Sequence, residues 1–308
     1  MNDINESLSI VILNYKNYEM TIKCVDKLIE NKFKFNIVIV DNNSKNGSFE
    51  KLNKEYRNIT NIVVLSSNNN KGYAAGNNIG IRYIKENIKS EYVCIMNPDI
   101  IIEDKHLFYN LINKIERHNL QGITGLQITN NVFDSTTLGW KLPTFSKIII
   151  LNSKFISKLL KPVNYSHYEV ESKEDSLAIV DVMPGCFFIM DMNIFETIGY
   201  FDENTFLYYE ENILSHKAKK IDCKFGVSLN DIYIHDHKEK DESLLNLNNK
   251  YKDRKILLNS QGVYVKNHLS VKGLKLFIYY LSVFYNLYIE LPLIHIAKLL
   301  KSKIKGGV

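Results

Sequence analysis

The chain is 308 residues long, and its 45% hydrophobic and 24% charged residues are typical of a folded protein, which excludes an intrinsically disordered chain. Its formal charge of +5 is uneven, because seven Lys and one Glu give residues 266–308 a charge of +6 and leave −1 for residues 1–265. A protein that binds nucleic acid would carry Lys and Arg over its folded part, so we expect no nucleic-acid partner. We expect instead that the C-terminal segment is attracted to an anionic membrane surface.

The cysteines and the N-terminus indicate a cytoplasmic protein. The four cysteines are widely spaced without a CxxC pair, which favours buried thiols over a disulfide or a zinc site. The first residues are acidic and have no basic region before their short apolar run, so no signal peptide is predicted. We therefore expect the protein in the cytoplasm, peripheral on the inner face of the cell membrane.

The first hundred residues alternate between short apolar runs and helical spacing of apolar residues. Such near-continuous apolar strands, separated by helices, predict an α/β fold with a mostly parallel sheet that helices cover on both faces. The predicted strands are residues 8–13, 35–40, 62–65 and 92–96, and the predicted helices are residues 19–31 and about 73–88.

Ligands of such sheets bind at the carboxyl ends of the strands, and polar residues follow three of the predicted strands. Asn14 and Tyr15 follow the first strand, Asp41 begins the segment Asp-Asn-Asn-Ser after the second, and Asn97-Pro98-Asp99 follows the fourth. Asp41 could bind a base or ribose, or could form an Asx-turn. Asp99 could hold a divalent cation against a diphosphate, although this tripeptide alone is more typical of a strand-ending turn.

A glycine-containing segment, residues 70–80, precedes the fourth strand. Its glycines are four residues apart, so within a helix they line one face and allow a backbone or a ligand to approach closely. The segment matches neither the dinucleotide-binding fingerprint nor the P-loop. After a helix that ends near residue 118, the sequence to residue 175 permits no assignment of structure.

Acidic and histidine residues in the second half are candidates for catalysis and metal binding. Glu210 and Glu211 follow an aromatic run at the start of a predicted helix, where they could act as a general base or could stabilise the helix N-terminus. His235 and His237 could bind a metal ion or could be an ordinary surface or core pair.

The last forty residues are apolar and aromatic but are interrupted by Asn286, Glu290, Pro292 and His295. This pattern favours one or two interfacial helices with flanking lysines. A membrane-spanning helix and a helix that packs on the protein core are the alternatives.

In order and spacing these segments resemble family 2 inverting glycosyltransferases of the GT-A fold, especially the bacterial branch that contains rhamnosyltransferases. The resemblance covers about residues 7–240. It is carried by SIVILNYKN from Ser9, IVDNNS from Ile39, NNNKGYAAGNNIGI from Asn68, YVCIMNPDI from Tyr92, MPGCFFIMDMNIFETIGYFDE from Met183, FLYYEEN from Phe206, and the histidine at 235.

The resemblance implies a GT-A domain over residues 1–240, with a donor half to about 104 and an acceptor half from 105, followed by a basic, helical, membrane-associating segment at 241–308. It implies transfer of a sugar from a nucleotide-diphospho-sugar, a UDP- or dTDP-sugar in our prediction, to a glycan or lipid-linked acceptor in cell-surface polysaccharide synthesis. It also implies Mg²⁺ or Mn²⁺ as cofactor. The predicted site residues are Glu211 and Glu210 (catalytic), Asn14, Tyr15, Asp41, Asn43, Asn70, Gly72, Asn77 and Asn97 (nucleotide), Gly185 and Asp202 (acceptor), and Asp99 and His235 (metal).

Two other functions stay open at this point. The sequence departs from the family pattern at Asn97, where the full motif has Asp, and at Ile213, where an acidic residue is usual. A catalytically impaired homologue that acts as a membrane-docked scaffold is therefore the alternative. A sugar nucleotidyltransferase would need a glycine-rich, Arg-containing loop after the first strand, and Asn-Tyr-Lys-Asn at 14–17 is not such a loop.

Overall fold

A computed structural model describes residues 7–129, 132–133, 138–160, 169–172, 175–236 and 247–305. Within these residues, three π-helical turns extend or join helices, at Ile84–Ile88, Tyr264–His268 and Tyr285–Glu290. In chain order the elements are β1 (Leu8–Asn14), α1 (Tyr18–Glu30), β2 (Asn36–Asp41), α2 (Ser48–Tyr56), β3 (Ile62–Ser66), α3 (Tyr73–Tyr83), β4 (Tyr92–Met96), β5 (Ile100–Ile101), α4 (Leu107–His118), β6 (Gly122–Thr129), β7 (Val132–Phe133), α5 (Phe145–Leu151), α6 (Lys154–Leu160), β8 (Glu169–Ser172), β9 (Leu177–Val180), β10 (Phe187–Asp191), α7 (Met192–Thr197), α8 (Glu210–Lys219), β11 (Phe225–His235), α9 (Leu247–Val263), α10 (Gly273–Phe284) and α11 (Leu291–Lys305).

The chain forms two compact units. The first comprises Met1–Leu142, Tyr165–Phe206 and Glu210–His237, and the second comprises Pro143–Asn164, Leu207–Tyr209 and Lys238–Val308. A compact unit is not the same as an independently folding domain, so the domain boundary at residue 240 stays a prediction.

The first unit is built on an 11-stranded mixed sheet. The strand order is β3-β2-β1-β4-β10-β6-β11-β9-β8, while β5 pairs with β11 and β7 with β6. The first four strands are parallel, as the alternating pattern predicts, and β10 then joins β4 in the antiparallel sense. The predicted α/β fold class is confirmed, with antiparallel pairing confined to the strands beyond β4.

Both faces of the sheet are covered, because successive residues of β1 enter different apolar clusters. Ile10 and Ile12 pack in one cluster with residues of α1 and α4, and Val11 packs in the other with residues of α3 and α8. This arrangement explains why β1, β2 and β4 are continuously apolar, because both faces of these strands are buried. On α3, Gly76 and Gly80 meet side chains of β1, so the predicted glycine face serves helix-to-sheet packing.

Strand β6 lies in the region for which the sequence permitted no assignment. Its residues include polar side chains that neighbouring strands satisfy: Thr124 donates to the carbonyl of Phe187 over 2.6 Å, and Gln127 accepts from the Tyr233 hydroxyl over 3.2 Å. These partners come from β10 and β11, far along the chain, so local hydrophobic periodicity cannot reveal the strand.

The second unit is helical. One side of α10 and the following π-turn is buried, with the Tyr279 hydroxyl donating to the Leu258 carbonyl of α9 over 2.9 Å. This side therefore packs within the second unit. The other side is exposed, and within the described residues Gly273–Leu299 is a helix long and apolar enough to cross a membrane by length and composition. The exposed apolar residues of this helix are Leu274, Phe277, Ile278, Tyr280, Leu281, Phe284, Tyr288, Ile289, Leu293, Ile296 and Leu299.

Candidate active site

The parallel strands bring the predicted nucleotide residues to one edge of the sheet. Asn14 at the end of β1 lies opposite Asp41 at the end of β2, and Met96 of β4 lies opposite Ile12 of β1. Asn97 therefore follows at the same edge. Residues separated by more than eighty positions in sequence meet here because parallel strands end together.

The carboxylate of Asp41 is held in a fixed orientation. It accepts from the Asn14 side-chain amide over 2.7 Å, from the Ser44 hydroxyl over 2.6 Å and from the Ser44 backbone amide over 3.0 Å. The bond to the Ser44 amide reaches three residues along the chain, one more than in the Asx-turn that the sequence offered as an alternative. Asn14 is fully buried, and its other amide end accepts from Thr21, so its direct role is to position Asp41.

A cavity of about 410 Å³ lies beside Asp41 at the ends of β2 and β3. Asn43 and Ser44 line it, and Asn43 also donates to the backbone carbonyl of Asn68 over 3.2 Å. The volume falls within the range of about 300–1,000 Å³ that is typical of small-molecule sites. Tyr15 is 47% exposed, with the Lys16 ammonium 5.0 Å from its ring centre.

The segment before α3 is fixed by its own polar residues. Asn70 accepts from the Asn42 side chain over 3.1 Å and from the Gly72 amide over 2.9 Å. Gly72 has a φ of +104°, and a β-carbon there would lie 2.1 Å from the carbonyl oxygen of Phe206, so only glycine fits. Asn77 is buried and donates to the carbonyl of Tyr73.

The two predicted metal ligands are neighbours. The His235 Nε2 lies 3.2 Å from the Asp99 Oδ2, because β5, which follows Asp99, pairs with the end of β11. Among the described residues, no group of three or more His, Cys, Asp or Glu side chains could hold a metal ion. The Asp99 carboxylate suits Mn²⁺ or Mg²⁺, whereas the His235 imidazole suits a transition metal better than Mg²⁺, so the pair fits Mn²⁺ best where phosphate oxygens and water complete the coordination. His237 lies outside the described residues.

Tyr73 connects the strand-end residues with the glycine predicted to face the acceptor. Its hydroxyl is 3.0 Å from the Asn97 Oδ1 and 2.8 Å from the Gly185 carbonyl oxygen. Burial, and then the Glu210 carboxylate, raise the pKa of Tyr73 well above its ordinary value, so the hydroxyl stays protonated and can act as a donor.

The carboxylate of Glu211 lies against Gly185. A β-carbon at position 185 would be 2.8 Å from the Glu211 Cγ and 3.0 Å from its Oε1. Burial raises the pKa of Glu211 above that of an ordinary carboxyl. Such a shift suits a general base that works near neutral pH. Glu210, the alternative, is 4% exposed.

Asp202 serves a turn. It accepts hydrogen bonds from the backbone amide of Asn204 over 2.9 Å and from its side chain over 2.7 Å. The structure therefore groups the predicted residues around two centres, Asp41 with Asn14 and Asn43, and Asp99 with His235, while Tyr73 joins Asn97 to Gly185.

Two residues at this site were not singled out from the sequence. Tyr73 stands inside the quoted glycine segment, and its position directly after Gly72 was the available signal. Trp140, the single tryptophan, donates from Nε1 to the Asn212 side chain over 2.9 Å, beside Glu211. Its surrounding sequence gave no signal, because the contact spans 72 positions.

The model of glycosyl transferase family 2 matches residues 9–199. The chain belongs to glycosyl transferase family 2. This family 2 protein is 30% identical over 223 residues to the low-salt glycan biosynthesis hexosyltransferase Agl10 of Haloferax volcanii, and the match covers 72% of this chain but 64% of that relative.

Solved structures share the fold of this family 2 protein. The mannosyltransferase PcManGT of Pyrobaculum calidifontis, in complex with GDP-Man and Mn²⁺, has a TM-score of 0.57 at 11% identity, covering 98% of this chain and 76% of that one. GalNAc-T7 with UDP, GalNAc and Mn²⁺ has a TM-score of 0.58 at 14% identity, covering 84% and 47%. The predicted GT-A fold is confirmed by these neighbours.

Proposed function

We propose that this protein transfers a hexosyl group from a nucleotide-diphospho-sugar to a hydroxyl of a glycan or lipid-linked acceptor, with inversion at the anomeric carbon. The observation that carries the proposal is the placement of Asp99 beside His235 at 3.2 Å, at the strand edge where Asp41 is also oriented. The similarity to the Haloferax relative, a hexosyltransferase of glycan biosynthesis, supports both the hexose and the glycan.

In this proposal Asp41 and Asn43 bind the nucleoside. The Asp41 carboxylate is nearly buried and is oriented by Asn14, so it presents a fixed acceptor to a ribose hydroxyl or a base. The cavity of about 410 Å³ beside it provides the space. Tyr15, half exposed near that edge, supplies an aromatic face for stacking.

The diphosphate is assigned to Asp99, His235 and Asn97. A divalent cation there would neutralise the negative charge that develops on the departing nucleoside diphosphate. Asp99 and His235 would hold the cation, and Asn97 is held by the Tyr73 hydroxyl. The Mn²⁺ of the two structural neighbours supports this cofactor.

Glu211 is assigned as the general base. Its carboxylate faces Gly185, whose missing side chain leaves room that a β-carbon would fill. A base there deprotonates the acceptor hydroxyl, which then attacks the anomeric carbon from the face opposite the diphosphate. A single displacement of this kind inverts the configuration, and no covalent sugar–enzyme bond forms.

The test is a screen of UDP-, GDP- and dTDP-hexoses with Mn²⁺, read as released nucleoside diphosphate. We expect release from at least one donor, abolished by EDTA. The matched variant is Glu211→Gln, which should lower release at least ~10²-fold, the usual scale for a general base. Release that is unchanged in this variant would contradict the assignment of the base.

For location, we propose that the protein is cytoplasmic and peripheral on the membrane through α10 and α11. The observations are the exposed apolar side of this helix and the +6 charge of residues 266–308. Replacing Phe277 and Phe284, which are 58% and 55% exposed, by Ser should release the protein from anionic vesicles in sedimentation while donor binding persists. Undiminished sedimentation of this double variant would contradict the proposal.

A further inference from the structure

The second unit contains a cavity of about 260 Å³ that the proposed transfer reaction does not use. It is bordered mainly by α9, α11 and the π-turn between α10 and α11. Its lining combines apolar side chains with four cationic residues, Lys154, Lys250, Arg254 and Lys298, against two carboxylates, Asp253 and Glu290.

The charge of Glu290 is directed away from any ligand of this cavity. Its Oε1 accepts from the Ser153 hydroxyl over 3.0 Å and from the Phe155 amide over 2.9 Å, and its Oε2 accepts from the Lys154 amide over 3.0 Å. Both oxygens therefore bind the start of α6, where a carboxylate is stabilised by backbone donors. Even without Lys298, the other charged side chains of the lining leave the cavity positive, because Lys154, Lys250 and Arg254 stand against Asp253.

Two side chains of the lining, Arg254 and His295, have nitrogen atoms without a hydrogen-bond partner among the described residues. The Arg254 guanidinium donates one hydrogen bond within that part of the chain, from its Nε to the Asn286 Oδ1 over 2.7 Å. Burial lowers the pKa of Arg254, as expected for a charge that is partly removed from water. The Nδ1 of His295 is buried and has no partner among the described residues. A buried polar atom without a partner is costly unless a ligand satisfies it.

The π-turn Tyr285–Glu290 places the polar residues of the helix at this cavity. Within it, Asn286 binds both Arg254 and the carbonyl of Asn152, and Glu290 binds α6. A π-helical turn inserted in an α-helix is found preferentially at functional sites, since it is otherwise less stable. The polar network thus fixes the Arg254 guanidinium before any ligand is bound.

We propose that this cavity binds a phosphate ester, with the phosphate on Arg254 and the ester substituent against Leu257, Leu291 and Ile294. A guanidinium whose two terminal nitrogens donate no hydrogen bond to the described residues matches the paired oxygens of a phosphate. The volume is close to the lower limit of about 300 Å³ for small-molecule sites, and the apolar wall suits a carbon substituent rather than a bare anion. This binding is separate from the sugar transfer proposed above.

The ligand source is tested by titration calorimetry on the full chain with three probes: inorganic phosphate, short-chain dihexanoyl phosphatidic acid below its micelle concentration, and dihexanoylglycerol. Saturable binding of the phosphatidic acid, at least about tenfold tighter than that of inorganic phosphate, supports a phosphate-ester site. Equal affinity for phosphatidic acid and inorganic phosphate would overturn the proposal in favour of a site for free anions. Binding of dihexanoylglycerol with the same affinity would overturn it in favour of an apolar site.

Variants locate the binding. Arg254→Gln should weaken phosphatidic acid binding about tenfold or more, the loss expected for a charge-assisted hydrogen bond. Asp253→Asn should strengthen it severalfold, because a repelling charge at the rim is removed while the fold is left intact. Lys252→Gln, an exposed substitution on the same helix outside the lining, is the control and should change nothing. A decrease as large in Lys252→Gln as in Arg254→Gln, or no gain in Asp253→Asn, would overturn the proposal.

Discussion

The contact between Gly185 and Glu211 permits a quantitative prediction for Gly185→Ala. The added β-carbon would lie 2.8 Å from the Glu211 Cγ. This is about 0.7 Å closer than the ~3.5 Å at which carbon atoms make favourable contact. The carboxylate must therefore move by roughly 0.7 Å. A misplacement of about 1 Å can lower the rate of a positioned reaction by ~10²-fold, so we expect kcat to fall about 10- to 100-fold.

The donor affinity of Gly185→Ala should change little, because Asp41 and Asp99 are not in this contact. The assay is nucleoside diphosphate release under saturating donor, with donor affinity measured separately by calorimetry. Gly262→Ala is the matched control: its β-carbon would meet only the Tyr279 ring and hydroxyl, at ordinary distances of 3.4 Å and more. That variant should retain full turnover.

A double-mutant cycle separates the steric contact from any other effect of Gly185→Ala. Overpacking costs about 1–3 kcal/mol of the free energy of unfolding, and Glu211→Ala removes all three atoms that would clash. The cost of Gly185→Ala should therefore disappear in the Glu211→Ala background, giving a coupling energy of about 1–3 kcal/mol in denaturant unfolding. Wild-type turnover in the single variant together with zero coupling would refute the contact.

Two further predictions concern the same centre. Because burial raises the Glu211 pKa above the ordinary value of 4.5, turnover should be full above the raised pKa and fall as pH decreases through it. The free energy of unfolding of the wild type should rise as pH decreases through the same window, because the folded state binds the proton more tightly than the unfolded state. A Glu211→Gln variant that shows the same rise would contradict Glu211 as its origin. Tyr73→Phe removes the bonds to Asn97 and to the Gly185 carbonyl and should lower kcat about 5- to 10-fold with the fold intact, whereas unchanged kinetics would show that Tyr73 has no positioning role.

Local patterns were sufficient for the donor half of the fold. Strands β1 to β4 are short, apolar and separated by helices, so their type and their shared edge follow from periodicity and from the rule for parallel sheets. Strand β6 could not be found in this way, because Thr124 and Gln127 are satisfied by strands distant in sequence.

The site was only partly accessible to sequence reasoning. The Asp99 and His235 pair, separated by 136 positions, was assigned through the family resemblance, since no local spacing links the two residues. The contact of the Tyr73 hydroxyl with the Gly185 carbonyl spans 112 positions and depends on how α3 packs on the sheet. In the second unit, the bond between Ser153 and Glu290 spans 137 positions, so no sequence motif could predict that the start of α6 binds the π-turn.

The most direct test of the account is the binding of UDP, GDP and dTDP to the wild-type chain and to Asp99→Ala by titration calorimetry, with Mn²⁺ and then with EDTA. We expect that at least one nucleotide binds the wild type with Mn²⁺ and that EDTA weakens this binding. Asp99→Ala should abolish the metal-dependent part while its unfolding transition persists. Wild-type, metal-dependent affinity in Asp99→Ala would contradict the assignment of the diphosphate site, and no binding of any of the three nucleotides to the wild type would contradict a nucleotide-sugar donor.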